Sequence, residues 1–501
     1  MRGIIRSIIV LLVGGWLILT GVTAPVLASG GRVAAHSVSI SSYYLAPFGG
    51  IRVYHPGGAA RANVIFLSGD GGWNGGIAAM ANRLAQRGIL VAGISTPTFM
   101  RSLQKIHNRC INPNYALVAL SRDVQHRMGV RAYMQPVIMG YSAGATVAYA
   151  SLSQWADGAY RGVVSLGFNA DIPGIKPWCR APGFAARPIV QPSRGWLFAP
   201  NRRITVPWIV LQGARDTVVD FTAARRFAAA IPRARFVALP DSDHDFFHDP
   251  QMTPRLMAAL APMLNKVSPT IASAGLPTDL PLTIIPPTGP TAHNDVMAVF
   301  YSGDGGWTGL VRDVAGQLAA KGVPVVGVDS LSYFWSQRTP AEAGKDMRRI
   351  ITAYSTAWHR PRVMLIGYSF GADTLPAMVG ALDPATRAHI ASLSLLGLSA
   401  TADFQFHLSS WLDLDSAQAL PTIPAILRLR NMDIRCVQGA QESDSACPAI
   451  PSGVATTIMV PGGHHFARNA ALLANLIARP AMKTGARQIA LAPPPRLSVT
   501  G

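Results

Sequence analysis

Two serines lie in the pattern Gly-x-Ser-x-Gly, which is typical of serine nucleophiles. Ser142 stands in residues 140–144 and Ser369 in residues 367–371. Each pattern follows a short apolar run and precedes a segment with helical character, which is the strand–turn–helix context of a nucleophile elbow. The flanking glycines let the chain turn sharply with no side chain in the way. One such pattern also occurs in turns without chemistry, but two copies in the same context favour catalysis.

A serine hydroxyl is a poor nucleophile without a base. In hydrolases with this elbow, the partners follow in the order Ser, acid, His. After Ser142, Asp216 lies in a turn just past an apolar run, and His244 lies just past the next one. The first half therefore predicts a triad in which Asp216 orients the imidazole and His244 acts as general base and then acid.

The second half offers two acids and two histidines after Ser369. Aligning the Gln-Gly-Ala turns of the two halves favours Glu442 as the acid, but Asp444 is also suitable. Aligning the phenylalanines that follow favours His464 as the base, with His465 as its rival. The sequence leaves both choices open.

The reaction also needs backbone donors for the oxyanion of the tetrahedral intermediate. One donor is expected to be the N–H after each serine, from Ala143 or Phe370. The other is expected from a glycine-rich loop after an early strand. The loop candidates are Gly69, Asp70 and Gly71 in the first half and Gly303, Asp304 and Gly305 in the second. We expect Trp73 and Trp307, which end these loops, to pack rather than to recognise substrate.

A carboxylate distinguishes the two elbows. Asp373 stands four residues after Ser369, where the first half has Thr146. In the first turn of a helix, this carboxylate is favourable as a cap. It is equally suited to bind a substrate ammonium group, together with Asp304.

The first half has three acids close to its histidine in sequence. Asp241, Asp243 and Asp245 flank His244 and are expected to keep the imidazole protonated, which weakens it as a base. We therefore expect Ser369 to carry the main activity and Ser142 to contribute less.

The motifs recur twice in the same order, which indicates a duplicated domain. Residues 66–73 recur as 300–307, and residues 137–145 recur as 364–372. In each half, short apolar runs alternate with helical patterns, so the predicted fold class is α/β. We expect two tandem α/β-hydrolase domains, each a mostly parallel sheet flanked by helices. The predicted strands are residues 64–67, 90–94, 137–139, 163–166, 209–212, 236–239, 296–301, 323–328, 363–366, 393–396, 434–438 and 456–460.

Composition sets the predicted domain boundaries. Residues 1–28 have two arginines, an apolar run and a small-residue cleavage site, as in a signal peptide. An uncleaved anchor is the alternative, but the apolar run is short for a membrane span of about 20 residues. We expect domains at 29–265 and 293–480, joined by a Pro-rich linker at 266–292 with room for a strand, and a disordered tail at 481–501. The mature protein is expected in a bacterial periplasm.

The 501 residues are 49% hydrophobic and 14% charged, which excludes wholesale disorder. The formal charge of +19 favours attraction to an anionic membrane surface, or it is simply the charge of a soluble basic protein. No zinc-finger spacing, RNA-recognition signature or long basic block occurs, so we expect no specific nucleic-acid binding. We expect no metal site, because no cysteine pair has finger-like spacing with histidines. We also expect no cofactor.

Four cysteines fit an oxidising compartment. Cys110 and Cys179 are the two in the first half, and Cys436 and Cys447 are the two in the second. One disulfide in each half is the simplest pairing, with free buried thiols as the alternative.

The combined motifs resemble the AcvB/VirJ family of bacterial virulence proteins. Residues 302–307, 367–373 and 461–466, with the segment from Cys436 to Cys447, carry the resemblance most fully. The two-domain length is similar to the longer, AcvB type. The resemblance implies a periplasmic enzyme that hydrolyses lysyl-phosphatidylglycerol to lysine and phosphatidylglycerol. It also implies links to virulence and to type IV secretion components. The sequence departs from the pattern where Ser443 interrupts the acidic run.

Two other functions remain open at this stage. One is a generic periplasmic esterase or peptidase, which would use the same serine chemistry on other substrates. The other is a non-catalytic adapter of a secretion system that keeps the hydrolase fold. The aminoacyl group is likewise open.

Overall fold

A computed structural model of the chain describes residues 37–155, 159–191, 193–264, 276–289, 295–307, 309–406, 419–479 and 489–490. The predicted signal peptide lies outside these residues. Of the predicted tail, the structure describes only Ile489–Ala490.

The strands of the described residues are β1 (Ser39–Leu45), β2 (Gly49–His55), β3 (Ala62–Leu67), β4 (Ile89–Ile94), β5 (Val137–Tyr141), β6 (Gly162–Leu166), β7 (Asp171–Pro173), β8 (Ala186–Ile189), β9 (Gly195–Phe198), β10 (Trp208–Gly213), β11 (Ala234–Leu239), β12 (Leu282–Ile285), β13 (Val296–Tyr301), β14 (Val325–Val328), β15 (Arg362–Tyr368), β16 (Ile390–Leu396), β17 (Thr401–Ala402), β18 (Leu420–Pro421), β19 (Ile434–Gly439), β20 (Thr456–Val460) and β21 (Ile489–Ala490). The α-helices are α1 (Gly75–Ala85), α2 (Thr96–Lys105), α3 (Asn114–Arg127), α4 (Ala143–Gln154), α5 (Phe221–Ala229), α6 (Met252–Leu264), α7 (Leu310–Ala320), α8 (Ser330–Tyr333), α9 (Pro340–Trp358), α10 (Phe370–Gly380), α11 (Pro384–Ala388), α12 (Thr422–Leu427) and α13 (Ala470–Ile477).

The first domain is built on an eight-stranded sheet with the order β1-β2-β4-β3-β5-β6-β10-β11. β1 and β2 are antiparallel to their neighbours, and the other pairs are parallel. Successive residues of β3 belong to different buried clusters: Val64 and Phe66 to one, Ile65 and Leu67 to the other. Because side chains alternate across a strand, both faces of this sheet are covered by apolar packing.

The second domain repeats this plan with the order β12-β14-β13-β15-β16-β19-β20-β21. Only the β12–β14 pair is antiparallel within this sheet. Alternate residues of β13 again belong to two buried clusters. In both domains the elbow serine follows the central strand, β5 or β15, at the carboxyl edge where ligands of open α/β sheets bind.

The structure confirms the predicted fold class, and each predicted strand is present. Val296–Tyr301 and Thr456–Val460 have the predicted bounds. The strand predicted from residue 323 begins instead at Val325, because Pro324 has no N–H for the ladder. β12 lies inside the predicted linker and pairs with β14.

Two disulfides join Cys110 to Cys179 and Cys436 to Cys447, as predicted. The second closes a short loop, because its cysteines are 11 residues apart. Among the helices that the structure describes, none has the length and apolar character needed to cross a membrane.

Candidate active site

Both elbow serines have a strained backbone. Ser142 and Ser369 each have a φ of 52°, in a region of backbone angles that residues other than glycine rarely adopt. Close packing of the next glycine maintains the turn: a Cβ on Gly144 would lie 2.3 Å from the carbonyl oxygen of Ser68. The same atom on Gly371 would lie 2.5 Å from the carbonyl oxygen of Ser302. The glycines of the motif are therefore sterically required.

The first domain brings its three predicted residues together. His244 Nδ1 lies 2.8 Å from Asp216 Oδ2, and His244 Nε2 lies 3.1 Å from Ser142 Oγ. The Asp216 carboxylate is buried and accepts further hydrogen bonds from the Gln212 amide and the Val219 N–H. Asp216 therefore orients the imidazole toward the serine hydroxyl.

The three acids that flank His244 in sequence bond elsewhere. Asp241 pairs with Arg215 at 3.1 Å, and Asp243 accepts a hydrogen bond from the N–H of Asp245. Within the described residues, the carboxylate that hydrogen-bonds to His244 is Asp216, and none of the three flanking acids does so. The expectation that these acids weaken His244 therefore has no support from the contacts.

In the second domain, the contacts favour one candidate of each pair that the sequence left open. His464 Nδ1 lies 2.5 Å from Glu442 Oε1, and Glu442 Oε2 accepts a hydrogen bond from the N–H of Gly439. Asp444 is exposed, whereas the Glu442 side chain is only 3% exposed. His465 turns its Nδ1 to the Tyr368 hydroxyl, at 2.7 Å. The contacts therefore select Glu442 and His464.

The contact between base and nucleophile differs between the domains. Among the described residues, no hydrogen bond joins His464 to Ser369 Oγ, although both line one cleft. Catalytic hydrogen bonds often tighten only when substrate binds, so this difference does not remove His464 as the base.

Electrostatics separate the two histidines of the second domain. The hydrogen bond to Glu442 raises the pKa of His464 above its ordinary value, against the effect of burial. Burial lowers the pKa of His465, and the neighbouring His464 charge adds to this. Burial acts to raise the pKa of Glu442, but the bonds from His464 and the Gly439 N–H outweigh it, so this pKa is lowered. Glu442 is therefore suited to stabilise an imidazolium.

Sequence reasoning missed two supports of the histidines. The elbow tyrosines donate to the histidine backbone, Tyr141 to the carbonyl of His244 at 3.1 Å and Tyr368 to that of His464 at 3.4 Å. A glycine with positive φ lies under each imidazole; on Gly397 a Cβ would lie 2.8 Å from His464 Cε1. The signal was present in the repeat, because both halves have Tyr before the serine and Leu-Gly after the next strand.

The glycine-rich loops lie beside the serines. A Cβ on Gly69 would lie 3.3 Å from Ser142 Cβ, and one on Gly303 would lie 3.2 Å from Ser369 Cβ. A side chain at either position would crowd the serine, so glycine favours this close approach of the backbone. The rings of Trp73 and Trp307 fill the space above Gly93 and Gly327, which makes them packing residues as expected.

Asp373 and Thr146 hold equivalent loops by opposite chemistry. Thr146 Oγ1 donates to the carbonyl of Asn169 at 2.7 Å, whereas Asp373 Oδ1 accepts from the N–H of Ser399 at 2.7 Å. Burial raises the pKa of Asp373 to about 8. Burial therefore favours the neutral form of this carboxyl group.

Ser369 opens into a cleft of about 1750 Å³. Its lining includes charged residues of both signs: the aspartates Asp304, Asp373, Asp403 and Asp444, and the arginines Arg61, Arg122, Arg131, Arg161 and Arg468. Residues of the first domain, among them Arg122 and Tyr133, also line the cleft, whereas Ser142 is not among the lining residues. In the part of the chain that the structure describes, no cluster of His, Cys, Asp or Glu is arranged to hold a metal ion.

The model of one protein family, described as bacterial virulence protein (VirJ), matches residues 62–169 and 295–484. These regions make up more than half of the chain. The chain belongs to the VirJ family. The first VirJ region contains Ser142 and the second contains Ser369, so the family model covers both elbows. The resemblance inferred from the motifs is thereby confirmed.

Two solved structures that are similar to part of the chain each align with slightly less than half of it. TT1662 from Thermus thermophilus is 19% identical, with 46% of this chain and 99% of that chain covered and a TM-score of 0.33. XC6422 from Xanthomonas campestris, described as an a/b serine hydrolase without lid, is 17% identical, with 45% and 94% covered and a TM-score of 0.30. A comparison with curated protein sequences gives no significant match.

Proposed function

We propose that this protein is a periplasmic serine hydrolase that cleaves the aminoacyl ester of lysyl-phosphatidylglycerol to lysine and phosphatidylglycerol. The observation that carries the proposal is the position of Ser369, a strained elbow serine in a cleft whose lining includes Asp304 and Asp373. An ester that carries cationic groups fits such a cleft, since its ammonium groups need anionic partners.

The reaction proceeds by acyl transfer through Ser369. His464 accepts the proton of Ser369 Oγ as the oxygen attacks the ester carbonyl carbon. The N–H of Phe370 and the loop of residues 303–305 stabilise the oxyanion. His464 then protonates the departing glycerol oxygen of phosphatidylglycerol. Water, activated by His464, hydrolyses the lysyl ester on Ser369, and the proton returns to the serine.

Glu442 has a supporting role in these steps. Its carboxylate orients His464 through Nδ1 and stabilises the imidazolium that each proton transfer creates. Because its pKa is lowered, Glu442 remains charged while His464 gains and loses its proton.

Asp373 and Asp304 are proposed to bind the ammonium groups of the lysyl moiety. Both line the cleft with Ser369. A bound ammonium group favours the charged carboxylate and so lowers the pKa of Asp373 from its raised value. Binding of the cation and release of the Asp373 proton are therefore coupled.

The proposed periplasmic location rests on the chemistry of the whole chain. Two disulfides are typical of an oxidising compartment. A net charge of +19 attracts the protein to an anionic membrane surface, where its proposed lipid substrate lies. We also propose, from the family resemblance, that the protein interacts with type IV secretion components.

The test is lysine release from vesicles that contain lysyl-phosphatidylglycerol. We expect stoichiometric lysine and phosphatidylglycerol from the wild-type protein, measured by mass spectrometry. A serine-reactive fluorophosphonate probe should label Ser369. Well-folded protein that is labelled at neither serine would favour the non-catalytic adapter. Labelling without lysine release would favour a generic esterase.

A second hydrolytic activity at Ser142 is favoured by one observation. Its hydrogen-bonded Ser–His–Asp arrangement is complete in the free protein. Since Ser142 does not line the cleft of Ser369, we propose that it acts on a different ester.

A further inference from the structure

A buried arginine of the first domain contacts the second domain. Arg122 lies in α3 and is 1% exposed. Its Nη2 donates a hydrogen bond to the backbone carbonyl of Asp304 at 2.6 Å, and its Nη1 lies 3.9 Å from the Asp304 carboxylate. Its guanidinium also lies 4.7 Å from the centre of the Phe406 ring. Burying a charge on folding is costly because the charge loses its contact with water. These contacts to the second domain offset that cost.

Asp304 belongs to the glycine-rich loop beside the nucleophile. It directly follows Gly303, whose Cα approaches Ser369 so closely that an added Cβ would lie 3.2 Å from the serine Cβ. An oxyanion donor must be placed to within a fraction of an ångström, because misplacement by about 1 Å can reduce a rate by about 100-fold. The Asp304 carbonyl and the Gly305 N–H lie in one planar peptide unit, so whatever fixes this carbonyl also fixes the orientation of the Gly305 N–H.

The surrounding interface fixes Arg122 relative to this loop. Trp335 Nε1 donates to the carbonyl of Val130 at 2.7 Å, and Ser336 Oγ donates to the carbonyl of Arg131 at 3.3 Å. The Trp335 ring stacks on Phe406 and contacts Tyr133. The chain that follows α3 is therefore docked on the second domain.

The equivalent loop of the first domain is held differently. The Asp70 side chain accepts a hydrogen bond from the N–H of Gly71, within its own loop, and is exposed. The two loops share the sequence Ser-Gly-Asp-Gly-Gly-Trp, so the arginine contact is an addition to the second site.

We propose that Arg122 is a positioning residue for the active site of the other domain: by holding the carbonyl of Asp304, it sets the oxyanion loop of Ser369. The inference rests on the proposed serine chemistry of Ser369 but not on the lipid substrate. The first domain then has a second function, which is to complete the catalytic site of its neighbour.

The test measures the two serines of one full-length protein separately. Fluorophosphonate labelling is followed over time by quantifying the peptides that contain Ser142 and Ser369. We expect Arg122→Met to slow labelling of Ser369 at least about tenfold and to leave Ser142 within about twofold of wild type. In a Ser142→Ala background, hydrolysis of p-nitrophenyl acetate should lose kcat by a similar factor, with KM nearly unchanged.

Matched variants separate positioning from general damage. Arg127→Met removes an arginine of the same helix that pairs with Asp123 inside the first domain, and it should leave Ser369 labelling unchanged. Arg122→Gln, which keeps a donor for the Asp304 carbonyl, should recover part of the rate and carries the test if Arg122→Met does not fold. Ser369 labelling within twofold of wild type in Arg122→Met, or an equal loss at both serines in folded protein, would overturn the inference. A wild-type protein with unlabelled Ser369 would overturn the proposed function itself.

Discussion

Glu442 and Asp444 lie two residues apart in one turn, but only Glu442 is buried and bonded to His464. We expect Glu442→Gln to lower kcat for esters by about 10²- to 10⁴-fold, because the imidazolium loses its counter-charge. Asp444→Asn is the matched control and should change kcat little. Ester hydrolysis by the purified variants measures both; a larger loss in Asp444→Asn would show that the acid is misassigned.

The raised pKa of His464 predicts a pH dependence. A general base must be neutral, so kcat/KM should fall as pH drops through a pKa above the ordinary histidine value of 6.5. Because Glu442 is the main cause of the shift, the residual activity of Glu442→Gln should have its inflection at lower pH. A pH profile of kcat/KM tests this, and an inflection that does not move would contradict it.

Asp373 allows the ammonium hypothesis to be tested with little disturbance. In Asp373→Asn, the side-chain oxygen can still accept the hydrogen bond from Ser399, but the side chain can no longer ionise when a cation binds. We expect lysyl esters to lose about tenfold or more in kcat/KM and neutral acetyl esters to lose much less. Equal losses on the two substrates would favour a generic esterase.

Residue identities were predictable to different degrees. Chain order and the repeat were sufficient for Ser142, Asp216 and His244, because each motif residue had a single candidate. The choice between Glu442 and Asp444 needed the hydrogen bond to His464, since both acids lie in the same turn. The partners of Asp241, Asp243 and Asp245 depended on tertiary contacts, such as Arg215, that local sequence does not specify.

At the level of elements, the Cys436–Cys447 disulfide ties β19 to the loop that carries Glu442. Closing a loop of this length stabilises the folded state by about 3 kcal/mol. We expect the Cys436→Ser, Cys447→Ser variant to lose about this much free energy of unfolding and to label more slowly at Ser369. Removing the Cys110–Cys179 bond should destabilise the first domain without that loss at Ser369. Chemical denaturation and labelling rates measure the two effects, and unchanged Ser369 labelling in the first variant would contradict the expectation.

The elements that the sequence predicted best are the buried parallel strands. β13 and residues 64–67 of β3 are continuous apolar runs because both faces of these strands are covered. β1 was missed because it is an edge strand whose residues are mostly exposed, so its sequence has no apolar run. The small sheet of β7, β8 and β9 was missed for the same reason, since its strands are short and only partly buried.

At the level of the whole molecule, the two domains contribute unequally to one cleft. We expect Ser369→Ala to reduce lysine release from lysyl-phosphatidylglycerol by several orders of magnitude. The Ser142→Ala variant should retain most of the lysine release, because Ser142 lies outside the cleft of Ser369. The reverse result would mean that the lipid-directed site is in the first domain.

The net charge of +19 predicts binding to anionic membranes. We expect the protein to sediment with phosphatidylglycerol vesicles at low salt and to be released as salt rises, because the screening length falls to about 10 Å at 0.1 M. Phosphatidylcholine vesicles are the control. Equal binding to both lipids, or binding that salt does not weaken, would contradict an electrostatic attraction.

The contact between Arg122 and Asp304 also bears on how such a chain can evolve. After a duplication, either copy is ordinarily free to accumulate mutations or to be deleted. Once one copy supplies a residue that shapes the other copy's reaction centre, deletion carries a cost that has nothing to do with its own chemistry. We therefore expect selection to preserve α3 and its docking surface even where Ser142 is replaced. The signature to look for is a tandem homologue that has lost its first serine but kept this arginine.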